Sequence, residues 1–166
     1  MSEIQEPNLG ANQEPVREEI RSFRDKYRFL SNFFPAKVLF EGDIYPSVEH
    51  AYQSAKTLNP DERQAIRQVK LAGMAKQLGK HVTLRSDWRQ INLNIMKVLV
   101  REKFQDLVLK EKLLNTGDAI LIEGNNWGDT YWGNYNGEGH NHLGRILMEV
   151  REELKLQEET IKLKEK

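Results

Sequence analysis

At 166 residues, with no cysteine and 25 basic residues balancing 25 acidic ones, the chain is long enough for one domain with a real core and excludes disulfides and thiolate metal sites. Zero net charge leaves no broad cationic footprint for nucleic acid, though a local patch is compatible with it. There is no apolar run long enough to span a bilayer, and the acidic start lacks the apolar segment of a secretory signal, so a cytoplasmic protein is expected.

Residues 1–20, with two prolines, a glycine and several acids, read as a flexible arm. Residues 29–45 are rich in aromatic and β-branched side chains. There Glu41-Gly42-Asp43 is a turn signal between 37–40 and 44–45, and a short hairpin is expected. Pro46 ends the strand. Ser47 is a candidate cap for a helix over 48–58, whose Val48, Ala51, Ala55 and Leu58 make a core-facing stripe. Asn59-Pro60-Asp61-Glu62 combines a cap, a proline at the first helical position and early acids, and starts another helix. A further helical piece covers 71–78 and stops near Gly79. Asp87 is expected to cap a long helix over 88–104, with Trp88, Ile91, Ile95, Val98 and Leu99 near helical spacing. A helix over 106–114 stops at Gly117, and 119–122 is a short strand leading into a glycine-rich loop. The last helix starts at His142 with Ile146, Leu147 and Val150 facing in. The fold class expected is mainly α with a small β element: arm 1–20, body 21–156 and a charged helical extension over 157–166.

Residues 123–145 hold six of the eleven glycines and two of the three tryptophans, with Asp129 among the aromatics. Glycine lets a backbone approach a ligand closely, and indole and phenol rings offer flat faces for a base or sugar. The segment reads as the wall of a binding or catalytic pocket. On the helix after Pro46, Glu49, Gln53 and Lys56 lie at offsets of four and seven, on one face, with Tyr52 beside them. The bland reading of that stripe is a solvated face; the sharper one is a site, because it follows an aromatic-rich hairpin. Trp88 is either a core anchor or a stacking platform beside Arg85 and Arg89. Asn32 either satisfies a turn or reads a base or ribose edge. The four histidines lack metal-ligand spacing, so no metal is expected. No nucleotide-binding glycine motif is present, though 133–139 superficially resembles a phosphate loop, and no nucleophile elbow occurs.

These pieces together resemble the NADAR/YbiA-like family of N-glycosidases. The matching blocks are FLSNF at 29–33, YPSVEHAYQSAK at 45–56, RSDW at 85–88, Met96, Lys103-Phe104, LLNTGD at 113–118, LIE at 121–123, DTYWG at 129–133 and GHNHLGRILM at 139–148. The resemblance runs from about residue 23 to 154. It implies a compact, mainly helical fold and cleavage of a C–N bond at ribose, with no cofactor. The substrates it implies are phosphoribosyl aminopyrimidine intermediates of riboflavin synthesis or ADP-ribose on guanine, free or in nucleic acid. It places catalytic roles on Glu49, Asp129 and Lys56 and stacking on Trp88 and Trp132. Asn32, Tyr52, Gln53 and Gly133 join them as candidate substrate-binding residues. One departure is the sequence GNYNG at 133–137, which lacks a second glycine soon after Trp132-Gly133.

Two routes fit these residues. In one, a carboxylate faces the positive charge that develops at ribose C1 while another handles the attacking water. In the other, Lys56 attacks C1 of the opened sugar and forms an imine that water resolves. The competing classes are a non-catalytic ADP-ribose reader and a helical interaction protein working through its charged C-terminal helix.

Overall fold

The computed structural model describes residues 14–166. Of the arm expected over 1–20, the first thirteen residues lie outside that description. Its end is ordered: β1 (Glu19–Ile20) pairs in parallel with β4 (Ile120–Leu121), Ile20 opposite Leu121. The body therefore begins before residue 21, and Ile20 is buried.

A short 3₁₀ helix, Asp25–Leu30, carries the chain into the hairpin of β2 (Val38–Phe40) and β3 (Asp43–Tyr45), in antiparallel register with Val38 opposite Tyr45. Glu41 and Gly42 both take positive φ, which gives a two-residue turn the twist a hairpin needs. Then come α1 (Val48–Ala55), α2 (Pro60–Gln68), α3 (Ala72–Gly79), α4 (Trp88–Lys103) and α5 (Leu107–Leu114). After β4, the strands β5 (Gly124–Asn125) and β6 (Asn134–Tyr135) pair in parallel at the base of the glycine-rich loop, and α6 (His142–Lys164) closes the chain. Helix outweighs strand 51% to 10%, so the mainly α class holds.

α1 is the hub. It packs on α2, α3, α4 and the hairpin, and all eight of its residues are buried. Ser47 caps it, its Oγ accepting from the His50 N–H at 3.2 Å. The expected stripe holds for Val48, Ala51 and Ala55, but the helix ends at Ala55 and Leu58 is 65% exposed. Asp87 does not cap α4. Its carboxylate instead accepts from the Arg85 guanidinium at 2.6 and 3.0 Å. On α4 the buried set is Trp88, Met96, Leu99, Val100 and Lys103, whereas Val98 is exposed.

Two devices anchor the loop end. Gly144 lets α6 approach β4 so closely that a Cβ there would strike the Leu121 carbonyl. Asn141, at positive φ before α6, donates to the Leu121 carbonyl at 2.9 Å and accepts from the Glu123 N–H at 3.0 Å.

Candidate active site

α1 brings its polar residues into the interior rather than to a solvated face. Glu49 is 7% exposed and Gln53 is 4%. The Gln53 amide donates to Glu49 Oε1 at 2.6 Å, so Gln53 is committed to holding the carboxylate. The Glu49 N–H donates to the Asn32 carbonyl at 3.1 Å, which fastens the 29–35 segment to the helix start. The Asn32 side chain turns inward, its Nδ2 resting 3.5 Å from the Met96 sulfur. Under this segment lies Lys103, fully buried, its ammonium donating to the Ser31 carbonyl at 2.8 Å. Burial pulls Lys103 down to about 7.

Asp129 enters from the other end of the chain. Its Oδ1 accepts from the backbone N–H groups of Tyr131 and Trp132 at 3.0 and 2.9 Å, a tight turn that fixes the carboxylate at the head of the aromatic run. Asn125 braces that turn from behind, accepting from the Asp129 N–H at 3.0 Å and donating to its carbonyl at 2.8 Å. Tyr131 ties the loop to α4 through Asn92 at 3.0 Å. Glu49 and Asp129, eighty residues apart, are brought close enough for Asp129 to act on the Glu49 titration. Burial is the first cause that raises Glu49; Asp129 adds to it, while Gln53, Lys76 and Lys56 oppose.

The aromatic wall is built around Tyr52. Trp88 packs on it at 5.1 Å and Trp132 meets it edge-on at 5.4 Å. Trp88 is only 8% exposed, closer to a core anchor than to an open platform, whereas Trp132 is half-buried. Burial raises the Tyr52 hydroxyl well above its ordinary value, and the Glu49 charge reinforces it. Lys56 closes α1 with its ammonium 5.5 Å from the Tyr52 ring centre. Burial lowers Lys56; Glu49 opposes this, while Lys76 and Lys80 push the same way. Gly133 is needed for closeness: a Cβ there would meet the Glu123 carbonyl, and Glu123 Oε2 at 2.9 Å.

The sequence reading missed three side chains at this site. Glu123, beneath Gly133, is a third carboxylate. Lys76 of α3 sits between two partly exposed rings, 5.8 Å from Phe33 and 5.9 Å from Trp127. Lys80 joins Lys76 in acting on Lys56, so the three make a cationic group. Arg85, beside Trp88, is paired with Asp87. Only the glutamate of the LIE block hinted at Glu123, because nothing in its spacing couples it to residue 49. Among the described residues no cluster of His, Asp or Glu has the grouping of a metal site. No helix among them is long and apolar enough to cross a membrane.

The NADAR domain model matches residues 17–155. An N-glycosidase YbiA of Shigella flexneri is 36% identical over 140 residues, covering 82% of this chain and 87% of that protein. A riboflavin biosynthesis protein of Vibrio vulnificus is 39% identical over 134 residues; the match covers 78% of this chain but 36% of that longer protein. The solution structure of Escherichia coli YbiA superposes with a TM-score of 0.76 at 32% identity, covering 89% of this chain and 91% of the other.

Proposed function

The chain belongs to the NADAR domain family and is, like the N-glycosidases it matches over most of their length, a hydrolase of N-glycosyl bonds; on that premise we propose that it cleaves the bond between ribose C1 and the nitrogen of a base or amine. The substrate in this reading is a phosphorylated ribosyl compound: a phosphoribosyl aminopyrimidine, or ADP-ribose carried on guanine. Relatives named for riboflavin biosynthesis favour the first, and so does a balanced net charge that offers no broad surface for a polymer. The cationic group of Lys56, Lys76 and Lys80 suits the phosphate that both candidates carry. A cytoplasmic site of action belongs to the same proposal.

The observation that carries this reading is the convergence of Glu49 and Asp129 beside the Tyr52–Trp132 wall. As the C1–N bond breaks, positive charge grows on C1 and the ring oxygen. A carboxylate held in a largely dry site stabilises that charge more strongly than one in water. Glu49, clamped by Gln53, takes that part. Asp129 has one oxygen tied to the turn and the other left to orient water. A specific feature also favours the imine route: burial and two neighbouring lysines lower Lys56, so more of it is a neutral amine near neutral pH than of an exposed lysine. Incubation with phosphoribosyl aminopyrimidine, ADP-ribosylated guanosine and ADP-ribosylated DNA, followed by mass spectrometry, tests the substrate. A non-catalytic reader would bind one of these and release no base.

A further inference from the structure

Glu123 sits between β4 and β5 with its backbone fixed on both sides. Its N–H donates to Asn141 Oδ1 at 3.0 Å, and its carbonyl accepts from the Asn134 N–H at 2.8 Å. These bonds fix the point on the backbone from which the Glu123 side chain leaves. It lies beneath Gly133, with Oε2 2.9 Å from where a Cβ would be, and residue 133 directly follows the Trp132 whose N–H anchors Asp129. Oε2 is buried and has no hydrogen-bond partner among the described residues.

The three carboxyl groups of the site are thus offered different things. Asp129 receives two backbone N–H groups and Glu49 receives the Gln53 amide; both are held as acceptors. No donor reaches Glu123 Oε2. The charged groups facing Glu123 are Asp129 from the loop, Glu49 from α1 and Lys76 from α3, two anions against one cation. A buried carboxyl with that neighbourhood is most stable when it carries its own proton. Burial first, then Asp129 and Glu49, raise Glu123 to about 8. Burial raises Glu49 too, but the Gln53 donor and two lysines, Lys76 and Lys56, oppose that, whereas Glu123 has no donor among the described residues and Lys76 as its one opposing cation; unequal surroundings of this kind let one site hold an acid beside a base.

We propose that Glu123 is a catalytic acid, delivering its proton to the nitrogen that leaves ribose C1. The C1–N bond breaks with its electron pair going to nitrogen, and that nitrogen takes the Glu123 proton. Water forms the new C1–O bond and gives its own proton to an ionised carboxylate of the site, and Glu123 regains a proton from solvent after the base departs. In the imine route the departing nitrogen needs the same proton. The assignment rests on the N-glycosidase reading above.

The test is the pH profile of kcat/KM for the parent and Glu123→Gln, measured as base released. The parent should lose activity as pH rises through about 8, where the acid loses its proton. Glu123→Gln should fall by about 10²–10⁴-fold and lose that alkaline limb, since an amide cannot supply the proton. Its melting temperature at neutral pH should match the parent, because glutamine copies the shape and charge of a protonated glutamate. A merely structural role would leave the limb in place. A parent without an alkaline limb overturns the proposal, as does a Glu123→Gln that keeps both rate and limb. Carbon-13 titration of the Glu123 carboxyl in the parent reads the same proton without any variant or turnover, and an ordinary carboxylate value there overturns it too. A parent that frees no base from any ribosylated substrate removes instead the N-glycosidase reading on which the assignment rests.

Discussion

The proposed chemistry rests on side chains whose environment, not identity, would make them reactive. Glu49 could be picked out from the sequence because its offsets to Gln53 and Lys56 fall on one helix face, and Asp129 because it heads an aromatic run. What the sequence did not contain is the sense of that face: the stripe lies inside, because α2, α3, α4 and the hairpin all pack around α1. Glu49→Gln keeps the Gln53 contact sterically but removes the charge, so kcat should drop by about 10²–10⁴-fold with little change in melting temperature. If the folded variant frees base at the parental rate, Glu49 has no catalytic part. Borohydride added during turnover should attach sugar to the parent and not to Lys56→Ala; absence of adduct in the parent leaves direct water attack. Lys103 was hidden in sequence as an ordinary helix cation, and only the packing of Phe34 and Phe104 around its amine shows otherwise. Its folded value, about 7, lies below the unfolded lysine value. From about pH 7 up to the unfolded value the folded form therefore holds fewer protons, and this group makes stability rise with pH. Lys103→Met should flatten that rise in a melting series; an unchanged slope would mean that the amine stays charged in the fold.

At the scale of elements, local signals were reliable where one residue type has one job. Ser47 caps α1 as its position suggests and the Asn59-Pro60 start of α2 holds, while Asp106, expected as the first helical residue, caps an α5 that starts at Leu107. Asp87 failed as a cap because a nearby arginine competes for its carboxylate, a charge-assisted pair stronger than a neutral cap contact. β1 was not legible because two residues have no period; only β4, a hundred residues later, makes a strand of them. Ser47 also meets His50 Nδ1 at 2.6 Å, while His50 Nε2 reaches the Val69 carbonyl at 3.0 Å, so the cap links α1 to the segment after α2. Ser47→Ala should cost about 1 kcal/mol or somewhat more in denaturant unfolding. A cost near zero would show that the His50 link holds the helix start without the hydroxyl. Gly133→Ala drives a methyl into the Glu123 carbonyl and should lower both stability and turnover.

For the whole molecule, the question is which parts the activity needs. The last buried residue of α6 is Leu154, and beyond it Leu156, Ile161 and Leu163 are exposed. The family match also ends at 155. A chain ending at residue 156 should keep the full rate of base release; loss of function on that truncation would favour a protein that works through its C-terminal helix. The residues of the candidate site run along the chain from Asn32 to Gly133, so no short fragment carries it, and this is why separate motifs in the sequence pointed to a site without revealing its third carboxylate.

The most direct measurement is turnover of a phosphoribosyl aminopyrimidine or ADP-ribosylated guanosine in ¹⁸O water, with mass spectrometry of both products. Cleavage at ribose C1 by water puts the label on the free sugar and none on the base. Label in the base, or intact substrate recovered from active-concentration enzyme across the panel, would contradict the account.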